Sequence, residues 1–342
     1  MTSDDDYALS EALGAIDSYI GQRIVVTGGL GFIGSNLARV LVKLGAKVTL
    51  LDSLIPEYGG NLANISGLEP SLSVNVCDIR DPYAIRHLLS GANYIFNLAG
   101  QTSHVDSMTD PKTDLAINVG AQINLLECAR LVAPEVKIVF ASTRQIYGRP
   151  QYLPVDELHP IKPVDVNGIN KWAGESYHTL YSEVYGLRST VLRLTNTYGP
   201  RMRIRDSRQT FLGIWIRKVL EGDPFLVFGT GHQLRDFNYV DDVIYALLLA
   251  GADIKADGKV YNLGSSEIIS LRDLAVSLCE TASSGFEIVP FPEERKLIDI
   301  GDYFGDYSLI QQDLGWEPKV PLIEGLRLTL DYFASRLPEY CD

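Results

Sequence analysis

The chain has 342 residues, 46% of them apolar, enough to bury a substantial core in one large domain or two unequal lobes, which excludes a disordered protein. The 43 Asp and Glu against 30 Lys and Arg give a formal charge of -13, which argues against a phosphate-backbone partner such as DNA or RNA. The scattered Cys77, Cys128, Cys279 and Cys341 form no CxxC pair or His/Cys cluster, so no metal site is expected.

Residues 1–20 read as a leader. "MTSDDDYALS" lacks the basic start and apolar run of a signal peptide, and Leu9, Leu13, Ile16 and Ile20 at helical spacing predict a short amphipathic helix over 7–20. No later stretch has eighteen uninterrupted apolar residues, so a membrane span is not expected and a reducing cytoplasm is the inferred location.

From 21 to 195, "RIVVT", "KVTLL", "LSVNV", "YIFNL", "VKIVF" and "STVLRL" read as buried strands alternating with helical patterns. That rhythm predicts an α/β fold, a Rossmann-type doubly wound parallel sheet. Directly after the first strand, "TGGLGFIGSN" places Gly28, Gly31 and Gly34 at the opening of a helix, with Phe32 and Ile33 in its first turn. Such a turn lets a pyrophosphate approach backbone N–H groups at the positive end of the helix dipole. Eighteen residues past Gly34 the second strand ends at Asp52, placed to accept hydrogen bonds from ribose hydroxyls and to repel a 2'-phosphate, so NAD is expected over NADP. "CDIRD" after the third strand adds Asp78 and Ile79 beside the adenine.

From 196 to 342 the pattern changes to an Arg- and Gly-rich loop, strands near 225–228 and 259–262, and helices near 240–251, 271–283 and 322–336. This predicts a smaller, mainly substrate-binding α/β lobe packed against the first around a cleft.

With the fingerprint, "NLAG", "STRQIYG", "NGINKWAGE", "RLTNTYGPR" and "LRDFNYVDD" in this order, the chain resembles the extended short-chain dehydrogenases/reductases that modify nucleotide sugars, over residues 22 to about 335. The resemblance implies tightly bound NAD, a nucleotide-diphosphate sugar as substrate and a homodimer, with Leu98 and Ala99 of "NLAG" at the cofactor. In that family a Ser or Thr, a Tyr and a Lys remove a hydroxyl proton while hydride moves to nicotinamide. Thr143 matches the hydroxyl and Lys171 the lysine, which would also hold the nicotinamide ribose. Asn167 stands where the tyrosine belongs.

An amide has no titratable proton near neutral pH, so Asn167 is not a base. Another residue supplies one, the reaction needs none at that position, or the protein does not turn over. His104 in "GQTSHVDS" is the first candidate, on its intrinsic pKa, with Asp106 and Tyr147 beside it in the reckoning. Where 4,6-dehydratases carry an Asp-Glu pair this chain has Arg144 and Gln145, and Arg144 can hold a carboxylate or phosphate through its planar fork. Asn196 and Arg235 match family positions that contact the substrate diphosphate, Arg295 is a second cation for it, and Arg201, Arg203, Arg205 and Arg208 offer a further anionic grip. The expected activity is epimerisation through a transient keto sugar; decarboxylation, dehydration, or NAD and nucleotide-sugar binding without turnover are the alternatives.

Overall fold

The computed structural model describes residues 16–281 and 284–341. Most of the helix expected over 7–20 lies outside these residues, and its described end is a single 3-10 turn, Ile16–Ser18.

The six apolar runs form β1 (Arg23–Thr27), β2 (Lys47–Asp52), β3 (Leu72–Val76), β4 (Tyr94–Asn97), β5 (Lys137–Thr143) and β6 (Arg188–Leu194). Six more strands follow: β7 (Asn196–Tyr198), β8 (Phe225–Phe228), β9 (Leu234–Tyr239), β10 (Val260–Asn262), β11 (Ile268–Ser270) and β12 (Phe286–Val289). The main sheet runs β10-β6-β5-β4-β1-β2-β3, and every neighbouring pair is parallel. β7, β9 and β11 make a second sheet, and β8 pairs with β12.

Strand alternation explains why these runs are mostly apolar rather than alternating. In β1, Ile24 and Val26 face one core with Leu37 and Leu41 of α1 (Phe32–Lys43), while Val25 faces the other with Ile85 and Leu89 of α2 (Pro82–Leu89). A strand covered on both faces has no polar side to show. β3 is the exception to the expected burial: it is an edge strand paired only with β2, and Val74 and Val76 are exposed.

Next in the first lobe come α3 (His104–Thr109), α4 (Ala121–Val132) and the twenty-residue α5 (Val166–Tyr185). The helical run Pro111–Val132 is long and apolar enough to cross a bilayer by composition, yet Leu125, Leu126 and Ala129 lie in the core with Ile95 and Ile138 of β4 and β5. It contains one π turn, Ala116–Gly120. Helix α5 begins where Asp165 Oδ1 accepts Gly168 N at 2.6 Å and ends at Gly186, whose φ of 70° suits a residue without Cβ.

The boundary expected at 195 is not a clean cut. After α6 (Phe211–Glu221), helix α7 (Val240–Ala252) packs Ile244, Leu247 and Leu248 into the core shared with β1, β4 and β5, and β10 pairs with β6 to extend the main sheet. The lobe beyond β6 thus lends two elements to the first lobe before forming α8 (Leu271–Thr281) and α9 (Leu322–Ala334). The period of β10 marks a strand; which sheet it joins depends on which edge is open.

Candidate active site

The strand order reverses between β4 and β1, and the loops beyond the strand ends there open a cleft of about 710 Å3 between the lobes. Lining it are the glycine turn with Phe32 and Ile33, Asp52, Asp78, Ile79, Leu98, Ala99, His104, Thr143, Arg144, Asn167, Lys171, Asn196, Arg235 and Arg295.

At the glycine turn, Gly28 has φ 66°, and a Cβ there would sit 3.0 Å from Ala99 N; a Cβ at Gly34 would collide with the Gly28 carbonyl. Gly31 caps α1 without a side-chain bond, which leaves first-turn amides to an anion. Asp52 already accepts Leu30 N at 3.0 Å and Leu54 N at 2.9 Å, so it fixes the turn as well as facing the cleft. Burial raises its pKa, against the pull of those N–H groups. Asp78 is held below the usual carboxylate range by its hydrogen bonds from Arg80. A turn whose glycines are needed for close approach, beside a carboxylate at a strand end, fits a dinucleotide.

Lys171 is buried on α5, its Nζ donating to Ala141 O at 3.0 Å and lying 5.0 Å from the Phe140 ring centre. Burial pushes its pKa down to about 8, with Asp114 pulling the other way. Thr143 Oγ1 accepts Gln145 N at 3.2 Å, capping the turn after β5 while its O–H remains for a ligand.

Asn167, one helical turn before Lys171 and almost fully buried, spends its donor inward. Nδ2 reaches Gln101 O at 2.8 Å and Asp114 Oδ2 at 3.0 Å. Both are acceptors, which fixes the amide's direction, and Oδ1 is left as the polar atom for the cleft. Asn167 therefore offers a substrate an acceptor and no donor. Asp114, absent from the sequence reasoning, is the pivot: its Oδ1 also takes Asn170 Nδ2 at 2.8 Å.

His104 opens α3 with Nδ1 3.0 Å from Asp165 Oδ2. The approach is close but outside hydrogen-bond angles. Burial pushes the Asp165 carboxyl up, but the His104 contact and charge together with the bonds from Gly168 N and Gln145 outweigh it, so the carboxyl ends below its ordinary value. Asp165, two residues before Asn167, was missed because nothing in the sequence links it to residue 104. Tyr58 was also missed; it lines the cleft, but burial and the carboxylates of Asp110, Asp106 and Asp114 raise its pKa, the wrong direction for a base. Tyr147 lies outside the cleft, bonded to Asn262 and Arg193. Asp106 pairs with Arg208 at 3.4 Å.

Two buried guanidiniums stand at the cleft's other end. Arg144 donates Nη2 to Asn196 Oδ1 at 2.9 Å and lies over Tyr303, while its Nη1 has no acceptor. Arg235 bonds Leu234 O and Gly301 O and reaches Asp299 at 3.6 Å. Burial first, then the charge of Arg144, pushes its pKa down to about 10. Such a pair favours an anion between or beside its members. Arg295 lies over Phe228 and touches Ser207 at 3.4 Å. Of the further arginines only Arg208 lines the cleft: Arg201 bonds Asn36, Arg203 pairs with Asp206 and Arg205 is exposed.

The sequence pattern of the NAD dependent epimerase/dehydratase family matches residues 24–264. A putative UDP-glucose 4-epimerase of Methanocaldococcus jannaschii is 34% identical over 91% of this chain and 98% of its own. A probable dTDP-glucose 4,6-dehydratase of Sinorhizobium fredii is 30% identical over 91% and 92%. The crystal structure of a UDP-glucose 4-epimerase with UDP-glucose from Thermotoga maritima superposes with a TM-score of 0.84 at 32% identity, covering 92% of this chain and all of that one.

Proposed function

The chain belongs to the NAD-dependent epimerase/dehydratase family, and from that premise we propose that it epimerises a nucleotide-diphosphate sugar through a transient keto intermediate. The observation that carries this reading is a single cleft with a dinucleotide turn at one end, a buried lysine at its centre and paired buried guanidiniums at the other. NAD held there would supply the hydride acceptor and donor for a ring carbinol carbon. The turn Gly28–Gly34 and Asp52 hold the dinucleotide, and Lys171 supplies a cation beside it. Arg235, Arg295 and Asn196 take the diphosphate, and Arg144 adds a donor fork at the sugar end. His104 accepts the hydroxyl proton as the carbinol becomes a ketone and gives it back on the return; Thr143 and Asn167 Oδ1 orient the sugar.

Arg144 and Gln145 cannot act as the acid and base of water loss, since one is a cation and the other an amide bonded to Asp165. That disfavours dehydration. We also infer a homodimer through α4 and α5, where Leu131, Trp172, Leu180, Val184 and Tyr185 are exposed, and a reducing cytoplasm, which suits four free cysteines.

The test is incubation with NAD and a panel of nucleotide sugars, with products followed by mass spectrometry and NMR. An epimer keeps the mass, dehydration loses water and decarboxylation loses carbon dioxide. His104→Ala should slow turnover by about 10²- to 10⁴-fold and retain both ligands. A bound nucleotide sugar that never reacts would move the reading to a binding protein.

A further inference from the structure

His104 and Asp165 come from separate elements, the first residue of α3 and the cap of α5, and the fold brings them within 3.0 Å. The Asp165 side chain has no solvent contact. Donors hold both its oxygens: Gly168 N to Oδ1 at 2.6 Å, and Gln145 Nε2 to Oδ2 at 2.7 Å. A buried carboxylate gripped on two sides cannot swing away, so it presents a fixed anion to the imidazole. The His104 side chain keeps 34% of its surface open and lines the cleft, and Nε2 has no partner among the described residues.

We propose that Asp165 is a positioning residue that holds His104 by its Nδ1–H and turns Nε2 toward the substrate hydroxyl, so that a His–Asp pair moves the proton Asn167 cannot. This rests on the reading of His104 as the base. The proton leaves the sugar O–H for Nε2 as the carbinol carbon gives up its hydride, for which bound NAD would be the acceptor. The imidazolium so formed faces the Asp165 anion, and Nε2 returns the proton when the ketone is reduced. A small rotation of the ring brings the 3.0 Å contact into line.

Because Asp165 also caps α5, the anion that aims the base is tied to the helix that carries Asn167 and Lys171. The other charged groups on neighbouring elements are engaged elsewhere. Asp106 on α3 meets Arg208, Asp114 holds Asn167 and Asn170, and Lys171 bonds Ala141 O. The Tyr58 phenol lines the same cleft, within reach of the charges of Asp110, Asp106 and Asp114. Asp165 is the carboxylate in ion-pair contact with His104 among the described residues.

The experiment compares wild type, Asp165→Asn, Asp165→Ser, His104→Ala and the His104→Ala/Asp165→Asn double variant. Asn and Ser each keep an oxygen able to cap Gly168 N, so α5 should survive. Two-dimensional 15N NMR of the imidazole, assigned by the signal lost in His104→Ala, reads tautomer and titration in the protein with NAD added. The expected result is an Nδ1–H tautomer in wild type that Asp165→Asn perturbs, and a pH profile of kcat/KM that changes with it. kcat should fall about hundredfold or more at its plateau with NAD affinity unchanged, and the double variant should be no slower than His104→Ala alone. Unmoved resonances, additive losses, or a lower kcat with an unshifted pH profile would each reduce Asp165 to a helix cap and overturn the proposal. Wild type that turns over no nucleotide sugar would refute the functional reading instead, while the His104 resonances would still decide whether Asp165 holds the ring.

Discussion

Asn167→Asp replaces one NH2 by one oxygen and therefore tests the direction of the amide with little change of shape. In the structure Nδ2 faces Asp114 Oδ2 at 3.0 Å, with both residues almost completely buried. Two carboxylate oxygens about 3 Å apart at an effective dielectric constant of about 20 repel by roughly 5.5 kcal/mol, equivalent to about 4 pKa units. The introduced carboxyl should therefore titrate near pH ~8 in the folded protein against ~3.9 unfolded. Between those values the folded state binds a proton that the unfolded state has released, so stability falls as pH rises, by about 1.4 kcal/mol per unit. The penalty is about 4 kcal/mol at pH 7 and about 1.5 at pH 5, where the protonated carboxyl donates to Asp114 as the amide did. Urea denaturation of both ligand-free proteins from pH 5 to about 8.5, followed by circular dichroism, reads the difference directly. Stability profiles that stay parallel would show that the amide nitrogen does not face Asp114. Asn167 would then have a donor for the substrate, and its assignment as an acceptor alone would fail.

The carboxylate at the end of β2 predicts that NAD binds more tightly than NADP and that Asp52→Asn, which can still accept from Leu30 N or Leu54 N, loses about ten- to hundredfold in NAD affinity. Calorimetry that finds the native protein indifferent to the 2'-phosphate would remove the role given to Asp52. Lys171 carries the opposite kind of strain: its folded pKa of about 8 lies below the ~10.4 of the unfolded chain, so the folded state sheds its proton first. The cost of burying the ammonium is full below pH 8 and is relieved as pH rises toward ~10.4. Lys171→Met should leave the ligand-free protein at least as stable at pH 7, by a margin on the order of 3 kcal/mol, flatten that rise, and abolish turnover. A less stable variant at pH 7 would mean that its Ala141 and Phe140 contacts outweigh the burial of charge.

The glycine turn and Asp52 could be read from sequence because the forces that fix them are local. Gly28 must take a positive φ, Gly34 must let the chain pass close to Gly28, and a carboxylate at the end of β2 arrives by strand geometry alone. The same holds for the largely apolar runs of β1, β4, β5 and β6, where burial on both faces removes the polar alternation. Short period and local sterics need no knowledge of the rest of the chain.

Three things were decided only by the tertiary structure. β10 and α7 return to the first sheet, because an open strand edge and an uncovered apolar face are properties of the assembled layer. Asn167 becomes an acceptor because Gln101 and Asp114, more than fifty residues away in the chain, claim its donor. His104 meets Asp165 across sixty-one positions of sequence. Residue type fixes how many hydrogen bonds a side chain can make, while direction and burial belong to whatever the fold places around it. That is why the sequence could show that Asn167 is no base but not which of its two polar atoms faces the substrate.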